Sequence, residues 1–125
     1  MPKPIAVLAP VFAATIATLA ASASAAMTVG TFVARANALK AQGPMALMSP
    51  DFPVLRDEAK AATTQLKAER EARRAKGLKP IACVPEGQSI GILEMLDSLA
   101  ALPAPVQKLP LKDGYARVLA KRFPC

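Results

Sequence analysis

The chain contains two cysteines, Cys83 and Cys125, and the second is its last residue. Two cysteines allow a single intramolecular pairing. Joining them closes a loop of about 43 residues, worth roughly 4 kcal/mol in the chain-entropy model. That is a large share of the 5–15 kcal/mol that holds a typical domain folded, on the order of magnitude expected here. Left unpaired, they would be two buried thiols or one surface-reactive thiol. The redox compartment decides between these states, and the N-terminus speaks to the compartment.

Residues 1–26 follow the order of a secretory signal peptide: one positive charge, an apolar run, then small residues. Lys3 supplies the charge. The run from Pro4 to Ala20 is uncharged and carries Ile5, Val7, Leu8, Val11, Phe12, Ile16 and Leu19. Ala21-Ser22-Ala23-Ser24-Ala25-Ala26 fits cleavage after Ala23, Ala25 or Ala26, with the last two preferred because Met27-Thr28-Val29 begins a new pattern. A membrane anchor is the rival reading. Spanning takes about 20 predominantly apolar residues, whereas this run is marginal in length, mostly alanine, and interrupted by Pro10. Export into an oxidising compartment turns an even cysteine count into an expected Cys83–Cys125 disulfide.

Cleavage would leave residues 27–125, about 100 residues, enough for one domain. A domain of that size buries a modest fraction of its surface, so a covalent staple helps it. Lys3 is the only charge in the leader, so the net charge of +7 becomes about +6. Such a basic exported domain suits an acidic protein, an anionic wall polymer or lipid headgroups. The 53% hydrophobic content is raised by the leader and by alanine, and is not the mark of a membrane protein.

The periodicity downstream is helical throughout. Thr28 is placed as an N-cap, and Val29, Phe32, Val33, Ala36 and Leu39 recur at helical spacing, predicting a helix over 29–42. Gly43 suits the left-handed position after a helix, and Pro44 prevents continuation. Pro44–Met48 reads as a short apolar turn. Asp51 is expected to cap a second helix, with Pro53 in its first turn. No proline or glycine then occurs before Gly77, which predicts about 25 residues of helix, roughly 37 Å long, on a narrow stripe of Val54, Leu55, Ala59, Ala62 and Leu66. Its acidic start and basic end complement the helix dipole.

Ile81 to Gln88 reads as an extended loop broken by Pro85 and Gly87. Ser89 is expected to cap a third helix bearing Ile92, Leu93, Leu96, Leu99 and Ala100, widened by Met95. Pro103-Ala104-Pro105 ends it, Val106–Leu109 reads as a turn, and Pro110 opens a last helix at its first position. That helix carries Leu111, Tyr115, Val118 and Leu119 on one face, with Phe123 beyond. Strand signals are weak everywhere. The expected fold is all-α: a small single-domain bundle of about four main helices with one disulfide, behind a cleaved signal peptide.

Little here points to catalysis. The chain has no histidine, which removes the usual general base and the usual zinc ligand. The cysteines are assigned to each other. Glu94 and Asp97 stand three apart on a helix, an ordinary solvated arrangement. Gly87-Gln88-Ser89-Ile90-Gly91 lacks the spacing and the Lys-Ser/Thr ending of a phosphate loop. The reading is therefore a non-enzymatic binding protein with no catalytic residue, metal or cofactor. One candidate surface is the loop, through Val84, Glu86 and Gln88. The other is the basic end of the second helix, through Arg70, Arg73 and Arg74. From Lys67 to Lys79 that end holds six basic and two acidic residues. It is either a solvated helix end, with Glu69 and Arg73 paired at i,i+4, or a basic arm for an acidic partner. No aromatic residues are interleaved for base stacking, and export argues against nucleic acid.

Cys83-Val84-Pro85-Glu86-Gly87, the serine-headed helix after it, and the closing Phe123-Pro124-Cys125 together resemble the Rap/Tai family of type VI secretion immunity proteins. The resemblance is carried by residues 81–125; over 27–80 only the helical order fits. It implies a periplasmic antitoxin that binds a secreted peptidoglycan amidase and blocks its active-site groove, in several members as a homodimer. The alternative is a basic periplasmic helical protein that binds wall polymer or another envelope protein. Neither needs stable membrane insertion after cleavage.

Overall fold

The computed structural model describes residues 26–125, together with Pro2. The predicted leader thus lies outside the described residues, apart from Pro2 and Ala26. The described chain forms five α-helices and one 3-10 segment: α1 (Val29–Ala41), the 3-10 segment Gly43–Met48, α2 (Asp51–Ala75), α3 (Ile92–Ala100), α4 (Ala104–Gln107) and α5 (Leu111–Arg122). The four main helices α1, α2, α3 and α5 fall where periodicity places them. No strand forms among the described residues; one isolated antiparallel bridge joins Thr28 to Pro110.

Helix α1 starts as its sequence dictates. The Thr28 hydroxyl accepts from the Thr31 amide at 3.2 Å, satisfying one of the amides that a helix start leaves open. Gly43 follows at φ +62°, the left-handed conformation that ends α1. The same device ends α2. Gly77 takes φ +68°, and the amides of Gly77 and Leu78 return to the carbonyls of Arg74 and Arg73.

Two helix starts differ from expectation. Asp51 does not cap α2. It lies in the first turn, where its carboxylate takes two bonds from Arg35, while the Ser49 hydroxyl accepts from the Asp51 amide. Ser89 does not cap α3, which begins three residues later behind Gly91 with no side-chain cap. Ile92 is consequently 85% exposed, Leu93 and Ala100 are also exposed, and α3 buries only Leu96 and Leu99, with Met95 partly covered. Val54, on the expected α2 stripe, is exposed too. Pro110 is the residue before α5, not its first. The first half of the predicted turn at Val106–Leu109 belongs to the one-turn helix α4, which has Pro105 in its first turn.

The core gathers Val29, Phe32 and Leu39 from α1, Leu55 and Ala62 from α2, Leu96 and Leu99 from α3, and Leu111 and Val118 from α5. Each fully buried Leu, Val or Phe contributes about 1.5–3 kcal/mol relative to exposure. Phe32 meets Tyr115 edge-on, with ring centroids 6.4 Å apart. The entry to α1 is tied to the entry of α5: Val29 donates to the Leu109 carbonyl and Leu111 to that of Met27, both at 2.9 Å. Gln107 reaches back to the Leu99 and Leu102 carbonyls, satisfying acceptors at the end of α3.

Candidate binding groove

Residues 78–91 contain no helix, yet three ties place them. Cys83 and Cys125 are joined as a disulfide, with Cα atoms 4.9 Å apart. The Cys83 amide donates to the Phe123 carbonyl at 2.9 Å, and Phe123 is itself buried. At the near end, Arg73 Nε donates to the Lys79 carbonyl at 2.8 Å. Between these ties, Gln88 donates to the Pro85 carbonyl and Gly87 sits at φ +76°, making a tight turn. The segment is thereby set as a wall opposite the second half of α2.

Between the two walls lies a half-open groove of about 630 Å³, within the range typical of binding clefts. Ile81, Val84 and Ile90 line it from the loop, Leu66 from α2, and Met95, Tyr115 and Leu119 from α3 and α5. Burial pushes the pKa of the Tyr115 hydroxyl above its usual 10. The floor is thus apolar with one neutral polar tip.

Charge enters from one side. Lys60, Lys67, Arg70 and Arg73 line the groove from α2. Glu69 lies among them but is bonded by Lys112 of α5, and that hydrogen bond raises the Lys112 pKa. The expected Glu69–Arg73 pair does not form, because Lys112 takes the carboxylate and Arg73 turns to the Lys79 carbonyl. The basic end of α2 is therefore fastened to α5 at Glu69 and is not a free projection. Lys60, Lys67 and Arg70 have no carboxylate within ion-pair distance among the described residues. The groove has an apolar floor, one cationic wall and one uncharged wall.

The two surfaces that the sequence offered as alternatives meet here. Val84 and Gln88 line one wall, Arg70 and Arg73 the other. Glu86 stands at the exposed tip of the loop turn and Arg74 is exposed in the last turn of α2; neither lines the groove. Sequence reasoning missed Lys60, Lys67, Ile81 and Ile90. A signal for the first two was present: Lys67 stands seven residues after Lys60 and three before Arg70, so the three share one face of a helix. Nothing in the sequence showed that the loop would fold back over that face.

Among the described residues, no group of three or more His, Cys, Asp or Glu is placed to hold a metal ion. No described helix is long and apolar enough to cross a membrane. No known protein family, curated protein or solved structure matches this chain.

Proposed function

We propose that this chain is a periplasmic immunity protein that binds and neutralises a peptidoglycan amidase delivered by type VI secretion. One observation carries the reading: a disulfide-anchored loop and a basic helix frame an apolar groove. Such a surface suits the docking of a partner. The leader-like N-terminus and the resemblance over residues 81–125 supply the compartment and the partner class. Inhibition of this kind asks for a rigid, complementary surface and no catalytic residue. A second copy of the chain is a further proposed partner, as in several members of the resembling family.

The uncompensated cations of α2 favour one other reading, an anionic wall polymer bound along the groove. Co-expression separates the two. An amidase effector encoded beside this chain is directed to the periplasm with and without it, and lysis is followed. Protection, lost in Arg70→Glu, supports immunity. Lysis undiminished by the intact chain, together with recovery of wall fragments on it, favours the polymer.

A further inference from the structure

We propose that the occupant of the groove is an amphipathic helix of a partner protein, with an apolar face and acidic residues along one edge. The inference rests on the groove being the binding surface, and not on the partner being an amidase.

The argument is one of length, shape and charge. Lys60, Lys67, Arg70 and Arg73 are strung along α2 over about 20 Å at 1.5 Å per residue. A single anionic headgroup reaches one or two of them, whereas carboxylates repeated at i, i+3 or i+4 along about four helical turns reach all. The floor of Leu66, Met95, Tyr115 and Leu119 sits beside that row, so the occupant must show apolar groups next to its acidic edge. A polyanion supplies the charge and leaves the floor wet. The opposite wall, from Pro80 to Ile90, contributes no lining charge, which fixes which edge of the helix faces which wall. Apolar anchors in a groove with charges along one rim are the recurring form of helix-in-groove recognition. Ile81, 47% exposed, and Ile92, 85% exposed, stand at its margin and would be covered on docking.

The test uses the oxidised protein without its leader and three fluorescent probes. The first is a hydrocarbon-stapled peptide of about 15 residues with leucines on one face and glutamates on one edge; stapling supplies helicity that so short a peptide lacks. The second replaces its glutamates with glutamine, and the third is dextran sulfate. The first peptide should bind in the micromolar range or tighter. The glutamine peptide should bind roughly tenfold or more weakly, as should the first peptide to Arg70→Glu or to Ile81→Asp. Both variants must keep the parent's circular dichroism and unfolding midpoint, as exposed positions allow. Equal binding of both peptides, or dextran sulfate binding that alone responds to Arg70→Glu, would overturn the proposal. The co-expression assay keeps the two readings apart. Peptide binding without protection from the amidase removes the immunity reading and leaves this one. Protection lost in both variants, with no peptide binding to the parent, removes this one and leaves immunity.

Discussion

Gly114 lies within α5, where glycine costs about 1 kcal/mol relative to alanine. Its environment explains it. A Cβ built there would stand 2.5 Å from Val29 Cγ2 and 3.0 Å from Leu99 Cδ2. Val29 and Leu99 are fully buried, so neither has room to retreat. Overpacking of this sort costs roughly 1–3 kcal/mol, which exceeds the gain in helix propensity. Gly114→Ala should therefore lower stability by about 1–2 kcal/mol in urea unfolding, while Gly91→Ala, which meets nothing within 4 Å, should lose only the modest preference for glycine over alanine at the N-cap of α3. Position 114 stands at i+3 from Leu111 and i−4 from Val118, so the stripe made its burial legible. The need for a residue without a side chain was not, because it is set by α1, some 85 positions earlier by numbering. The same holds for Arg35, which periodicity leaves off the α1 stripe and which the fold pairs with Asp51 at 2.6 Å. That bond holds the Asp51 carboxyl below its ordinary 3.8. A lowered carboxylate pKa stabilises the fold above the unfolded value, and the contribution is lost as pH falls through the folded one. The parent's stability should thus decline below about pH 4, and Asp51→Asn should flatten that limb. Both side chains are more than a third exposed, so added salt should weaken the difference.

At the scale of elements, caps and stops were legible wherever they act through the chain's own neighbours. Thr28, Gly43 and Gly77 do what their types and positions dictate. Asp51 and Ser89 are cap-type residues as well, but the fold uses Asp51 for an ion pair and leaves Ser89 in the groove wall. A cap is a competition among partners, and only the local competitor is visible in sequence. The difference is measurable. Thr28→Ala should cost about 1 kcal/mol, whereas Ser89→Ala should stay within about 0.5 kcal/mol, both read from the midpoint of chemical denaturation. The exposure of Ile92 and Leu93 has the same origin: once α3 begins behind Gly91, only Leu96 and Leu99 turn into the core. Ile92 is left at the groove margin, where an apolar residue has a use in binding.

For the whole molecule, the decisive link is the tie between Cys125 and Cys83. Without it the four main helices still share the core of Phe32, Leu55, Leu99 and Leu111, but the loop wall keeps only the Cys83–Phe123 backbone bond and the Arg73 brace. Phe123, two residues before Cys125, would lose that constraint. Cys125→Ser should therefore retain most of the helical circular dichroism while its unfolding midpoint falls well below the parent's, for a loss of stability of up to roughly 4 kcal/mol in the entropy model. Burial of Phe123, about 1.5–3 kcal/mol, overlaps with that loss and is not added to it. Binding should suffer more than stability alone explains. The loop wall carries Ile81, Val84 and Ile90, and a partner would have to order it again on docking, which weakens affinity without removing any contact. The measurement sets the oxidised parent, the reduced parent and Cys125→Ser side by side, for urea unfolding and for binding of the acidic peptide at a temperature where all three are folded. Equal midpoints in the three would show that the disulfide is not the organising bond. A lower midpoint with unchanged peptide affinity would show that the wall stands without it, held by the Cys83–Phe123 backbone bond and the Arg73 brace.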